Sequence, residues 1–206
     1  MRNFARLALP FVAGVIIAYA PTAHAVVMVG GNGLGPVCYG AARAISEGRA
    51  PEPFSMTGSA LILSPLEICS RALDEGTLDA HDTAATLVNR GVVFFTLGNF
   101  QAAFEDFNSA LKFADDIADA YANRGAALVA LKRWQESVEA ISKGIELGAA
   151  QPEKSYYNRA IANEELGNIR AAYDDYMKAA ELKPEWEAPR TQLTRFTVRK
   201  KEPVAK

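Results

Sequence analysis

The chain has 206 residues, half of them apolar, with 22 basic and 24 acidic side chains and a net charge of −2. That length and apolar content suffice for one or two domains with a real core. The near-balanced charge leaves no electrostatic footprint for nucleic acid. With only two histidines and two cysteines, the chain has few ligands for a metal.

The first segment reads as an export signal. Arg2 and Arg6 precede an apolar run from Leu7 to Ala20, interrupted by Pro10, and Ala23-His24-Ala25 offers small residues where a signal peptidase reads them. That order predicts a signal peptide over residues 1–25, cleaved after Ala25, and a periplasmic or secreted mature protein. The apolar run is shorter than the roughly 20 residues that span a bilayer. No stable membrane insertion is expected after cleavage, an uncleaved anchor being the rival reading. Removing 1–25 leaves 20 basic and 24 acidic residues and one histidine, His81.

Residues 26–83 read as a glycine-rich N-terminus followed by a degenerate helical cap. The tract Gly30-Gly31-Asn32-Gly33-Leu34-Gly35-Pro36 fits neither nucleotide-binding fingerprint, so it is expected to be a loose terminus. Helical spacing follows over 38–47, with Cys38, Ala41, Ala42 and Ile45 on one side, and over 65–75, with Leu66, Cys69, Ala72 and Leu73. Ser64 and Pro65 suit an N-cap and a first turn, and Gly76 suits a stop. Cys38 and Cys69 fall one on each helix. An even pair in an oxidising compartment points to a disulfide. Free thiols or a redox pair are the rivals, and the latter lacks CxxC.

From residue 84 a phrase recurs. Asn89-Arg90-Gly91, Asn123-Arg124-Gly125 and Asn158-Arg159-Ala160 lie 34 and 35 residues apart, each followed by Leu97-Gly98-Asn99, Leu131-Lys132-Arg133 or Leu166-Gly167-Asn168. Such a period marks a stacked array whose units cannot bury their apolar faces alone. Helices are expected near 84–97, 100–113, 118–131, 134–147, 153–166 and 169–182, with a final helix over 187–199 and Arg190, Arg195 and Arg199 facing water. Each unit resembles a tetratricopeptide repeat. First-helix positions are filled by Leu87, Gly91, Phe94, by Tyr121, Gly125, Leu128, and by Tyr156, Ala160, Asn163. Second-helix positions hold Ala103, Phe107, Ala110, then Ser137, Ile141, Gly144, then Ala172, Tyr176, Ala179, and Pro184 closes the last. The resemblance implies an all-α, right-handed α-solenoid of three helical hairpins, at 84–117, 118–151 and 153–186. The helical cap precedes them, and a capping helix and basic tail follow over 187–206.

In that family the first helices line a concave groove. By resemblance, this groove would present Val88, Val92, Phe95 and Thr96 with Asn89, then Asp119, Ala122, Ala126, Val129 and Ala130 with Asn123. Lys154, Tyr157, Ile161, Glu164 and Glu165 with Asn158 would follow. A side-chain amide both donates and accepts, so one asparagine per repeat could pair with the backbone of an extended peptide. Equally, the asparagines could serve helix packing. Some chaperone-associated relatives clamp a C-terminal carboxylate with basic and asparagine side chains. Here Asn123 and Lys154 match, whereas Val88, Val92 and Asn158 do not, so no such clamp is expected. Arg90, Arg124 and Arg159 are expected to pair with carboxylates such as Glu105, Asp106, Glu139, Asp174 or Asp175.

Nothing in the residues points to catalysis. His81 stands alone, no GxSxG or SxxK motif occurs, and Asp115-Asp116, Glu164-Glu165 and Asp174-Asp175 are sequence neighbours that diverge on a helix. The expectation is a non-enzymatic exported adaptor or scaffold without cofactor or metal, binding a protein or extended peptide. A structural subunit of an envelope complex or homo-oligomer, using caps or convex surfaces, is the alternative.

Overall fold

The computed structural model describes residues 2–6, 34–49 and 63–200. The expected cleavage site, most of the signal segment, most of the glycine tract and the basic tail lie outside the described residues. Nine helices appear among the described residues: α1 (Leu34–Ser46), α2 (Pro65–Asp74), α3 (Ala80–Thr96), α4 (Phe100–Phe113), α5 (Ala118–Ala130), α6 (Trp134–Glu146), α7 (Pro152–Glu165), α8 (Ile169–Leu182) and α9 (Glu187–Leu193). Strand β1 (Arg2–Arg6) pairs antiparallel with β2 (Phe196–Lys200), Arg6 opposite Phe196. The architecture is an all-α solenoid of hairpins α3–α4, α5–α6 and α7–α8, each packed on the next.

Local chemistry sets most helix ends. Ser64 caps α2 in a reciprocal capping box with Glu67, and Pro65 occupies the first turn. α1 begins four residues before the expected start and takes Pro36 into its first turn, where a missing N–H costs nothing. α3 likewise begins at Ala80 rather than near 84, because the Asp79 carboxylate accepts the Asp82 N–H at 2.8 Å. The hairpin turns close by a shared device. Gly98 and Gly167 have φ of 79°, and the following N–H groups of Asn99 and Asn168 donate back to the Phe94 and Asn163 carbonyls. Lys132 makes the same turn at φ 59°, a conformation that strains a side chain with a Cβ.

Within a hairpin the helices touch where small residues permit it. A Cβ on Gly125 would stand 2.2 Å from Ile141 Cγ1, and one on Gly144 would stand 2.9 Å from the Ala122 backbone nitrogen. The core runs from Ala84, Val88, Phe107 and Ala110 through Val129, Ile141 and Ala162 to Ala160, Ala172, Tyr176 and Phe196. At the N-terminal end, α1 and α2 are joined by a Cys38–Cys69 disulfide with Cα atoms 4.7 Å apart. Its loop, 31 residues in sequence, contributes about 3–4 kcal/mol by the chain-entropy argument.

One expectation is corrected. The helix expected over 187–199 stops at Leu193, and residues 196–200 are extended. Thr194, Thr197 and Val198 are β-branched and favour extended backbone. Phe196 is anchored edge-on to the rings of Tyr173 and Tyr176, centroids 5.7 and 5.9 Å away. Arg195 turns inward instead of facing water, donating to the Glu164 carboxylate at 2.6 Å.

Candidate functional site: the face of the first helices

The first helices α3, α5 and α7 lie side by side, each in contact with the next. Of the residues named from sequence, Val129, Tyr157 and Ile161 line one cavity, while Val88 and Val92 belong to the hydrophobic core. Their accessibility differs. Val88, Asn89 and Val92 are 0, 1 and 3% exposed, and Val129 and Tyr157 are also buried. Phe95, Asn123, Ala126, Lys154, Asn158 and Ile161 are half-buried. α1 packs on α3, with Tyr39 against the Ala84–Val88–Val92 cluster, which helps remove the first-repeat positions from water.

Two members of the asparagine series carry unused capacity. The Nδ2 atoms of Asn89 and Asn123 are shut off from solvent and have no hydrogen-bond partner. A buried donor left unpaired costs about 1–3 kcal/mol. Two such donors recur at equivalent positions of adjacent first helices. Thr86 Oγ1, one turn before Asn89, is in the same condition.

Toward the third repeat the face deepens into a cavity of about 340 Å³, walled by Val129, Trp134, Tyr157, Ile161, Glu164, Glu165, Gln192 and Arg195. Its polar wall is held by an inward carboxylate. Glu164 receives Arg195 from the far side of α9 and the Tyr176 hydroxyl at 3.1 Å. Burial, reinforced by the Glu164 charge, pushes the Tyr176 phenol well above its usual range, keeping it a donor. Tyr157 is pushed up chiefly by burial, and its ring meets Trp186 at 4.8 Å and Tyr176 at 5.5 Å. Lys154 is held down to about 8, mainly by burial and then by the Lys183 charge, against an opposing pull from Glu153. Trp134, Gln192 and Arg195 were not foreseen as lining residues. Gln192 on α9 and Arg195 just after it arrive because that segment folds back, whereas Trp134 opens α6.

The recurring arginines point elsewhere. Arg90 grips Asp106 through Nε and Nη2 at 2.8 and 2.7 Å, and Arg159 grips Asp175 at 2.8 Å through both. Their Nη1 atoms reach back to Ser70 and Ser142 on the preceding hairpin, so each guanidinium ties two units together. Arg124 donates to Asn108 at 3.3 Å and lies over the Tyr121 ring, 5.1 Å from its centroid, but its buried Nε has no acceptor. Ala140 occupies the place, sixteen residues on, where the other two repeats have aspartate. Desolvation accordingly lowers the Arg124 pKa, while partnering raises those of Arg90 and Arg159. Among the described residues there is no cluster of three His, Cys, Asp or Glu side chains able to hold a metal, and His81 is exposed. No helix of the described residues is long and apolar enough to cross a membrane.

Comparison with known proteins agrees with this architecture. The tetratricopeptide repeat model matches residues 84–116 and 153–185. Protein unc-45 homolog B of Mus musculus is 31% identical over 108 residues, covering 51% of this chain but only 12% of that protein. The second tetratricopeptide domain of human RPAP3, solved with the HSP70 peptide SGPTIEEVD, superposes with a TM-score of 0.52 at 24% identity, over 56% of this chain and 95% of that one. MamA from Desulfovibrio magneticus RS-1 superposes with a TM-score of 0.56 at 20% identity, over 63% and 70% of the two chains. Residues 84–116 and 153–185 therefore match tetratricopeptide repeats, and the fold is that of an all-α solenoid.

Proposed function

We propose that this protein is an exported, non-enzymatic adaptor that binds an extended segment of another protein along the face of α3, α5 and α7. The observation that carries this reading is the unpaired amide donor of half-buried Asn123 on α5, whereas Asn89, 1% exposed where α1 packs on α3, is closed to a peptide. A strand-like peptide offers backbone carbonyls regardless of its sequence, and docking them would remove an existing cost rather than impose a new one. The RPAP3 domain, which holds an HSP70 peptide, lends support by analogy of fold. The ligand differs from a free C-terminus, since Val88, Val92 and Asn158 fill positions at which a carboxylate clamp needs other side chains. An internal segment with an apolar residue for the cavity beside Trp134, Tyr157 and Ile161 suits the lining better.

The test is a display library of linear peptides screened against the chain beginning at Val26. Asn123→Ala should weaken each selected peptide about tenfold, the worth of one such hydrogen bond, with helicity unchanged by circular dichroism. Peptides that bind the variant as tightly as the parent would refute a role for Asn123 in docking. Export is tested separately by the intact mass of the protein recovered from a bacterial envelope fraction. A mass starting at Val26 supports it, and a full-length mass refutes it.

A further inference from the structure

The cavity between α5, α7 and the segment after α9 discriminates by charge and by size. Trp134, Tyr157 and Tyr176 line it together with Val129 and Ile161. Two buried charges enter its wall, and they satisfy one another. Arg195 Nη2 donates to the Glu164 carboxylate at 2.6 Å, and the Tyr176 hydroxyl donates to the same carboxylate at 3.1 Å. The other charged lining residues, Lys132 and Glu165, are exposed to water and opposite in sign. An entering ammonium would meet the like charge of Arg195, and an entering carboxylate that of Glu164. Neither would gain an uncommitted buried counter-charge to offset its lost hydration. Size narrows the choice further. The volume of about 340 Å³ equals that of roughly ten water molecules in the liquid. A valine or leucine side chain leaves much of it unfilled, and each gap forfeits dispersion contacts. An aromatic ring fills more of it and gains edge or offset contacts with the rings already there.

The placement of the cavity along α5 sets a register. Asn123, Ala126 and Ala130 stand at i, i+3 and i+7, hence on one helix face. Each is half-buried, whereas Gly125, Ala127, Leu128 and Val129 among them are buried. Ala130 lines the cavity. A strip of small side chains therefore leads from Asn123, whose Nδ2 has no partner, to the cavity mouth. Seven helical positions span roughly 10 Å, which an extended chain covers in about three residues. We infer that a segment bound on this face is anchored by one uncharged aromatic residue seated in the cavity. The anchor lies about three positions from the backbone carbonyl that Asn123 meets. This names the ligand class of the site proposed above and rests on that reading for the spacing, while the selectivity of the cavity is measurable without Asn123.

The experiment titrates the N-acetyl amides of tyrosine, leucine, lysine and glutamate into the 206-residue chain. The Trp134 indole and Ile161 methyl signals are followed by NMR. The tyrosine amide should shift both saturably, with a Kd on the order of a millimolar for a probe of its size. The leucine amide should bind about tenfold more weakly, and the lysine and glutamate amides should give no saturable shift. A tyrosine amide that moves neither signal, or a leucine, lysine or glutamate amide that binds as tightly, would overturn the inference. Glu164→Gln frees the Arg195 guanidinium and should bring the glutamate amide into the range of the tyrosine amide. An unchanged preference in that variant, if folded, would overturn the charge argument, and the parent titration decides if it does not fold. Peptides selected from the display library should share one Phe, Tyr or Trp, and tight binders without an aromatic residue would refute the anchor. The two readings fail separately. An inert Asn123→Ala with an intact tyrosine titration removes the docking reading and the spacing, whereas a lost titration with Asn123 still required removes the anchor alone.

Discussion

Replacing Ala140 by Asp should supply Arg124 with the carboxylate that Arg90 and Arg159 already possess. The geometry is set by the neighbours. Asp106 and Asp175, sixteen residues after their arginines, accept two hydrogen bonds each at 2.7–2.8 Å, with side chains about one-tenth exposed. Ala140 is 1% exposed at the corresponding place on α6. The new pair would satisfy the buried Arg124 Nε, relieving about 1–3 kcal/mol, while desolvating a carboxylate costs a comparable amount. Ala140→Asp alone should therefore shift stability by no more than about 1 kcal/mol. In an Arg124→Met background the same aspartate is buried without a cation and should destabilise by about 3 kcal/mol. The coupling energy of the cycle is thus expected at about 2–3 kcal/mol. The same logic ranks the arginines. Arg90→Met orphans Asp106 and should cost about 2–4 kcal/mol, whereas Arg124→Met strands no acid and should cost about 1 kcal/mol or less. Urea unfolding followed by helical circular dichroism measures these values. Because repeat arrays can unfold in parts, hydrogen exchange in α5 and α6 should accompany it. If Ala140→Asp destabilises equally with and without Arg124, or Arg124→Met costs as much as Arg90→Met, the account of the inter-repeat ties is wrong.

Two further outcomes follow from single positions. Lys132→Gly removes a side chain from the left-handed turn that Gly98 and Gly167 make elsewhere, and should stabilise by about 1 kcal/mol, read as a higher urea midpoint with unchanged slope. Lys154, held down to about 8 by burial, binds fewer protons in the folded than in the unfolded chain between that pH and its ordinary value. Stability should therefore rise as pH increases from about 8 toward 10.5, by roughly 1–2 kcal/mol after allowing for solvent screening. Lys154→Met should flatten that rise in a series of urea melts, and an unchanged slope would show that Lys154 is not the titrating group.

The parts legible in advance are those in which chemistry acts over one turn or one repeat. The recurrence of Asn-Arg-Gly and Leu-Gly-Asn located the hairpins, because a helix face and a turn each depend on residues a few positions apart. Ser64-Pro65 marked a helix start for the same reason, and Cys38 and Cys69 are joined as their placement on two short helices suggested. Two of the three arginines met carboxylates anticipated for them. Arg124 did not, and its orphaned state became readable only once the sixteen-residue offset to the facing helix was known. Burial of Asn89 depends on α1 and α3 meeting, and the cavity beside Tyr157 depends on α9 turning back. The helical spacing of 187–199 was misleading because β-branched residues beyond Leu193 favour extended backbone and the ion pair to Glu164 and ring contacts of Phe196 hold that segment against α7 and α8. Repeat period and caps are written in neighbouring residues. Which polar atoms stay unpaired, and which face keeps a cavity, is decided where distant segments pack, since the cost of an unmet donor or an empty volume exists only after they come together.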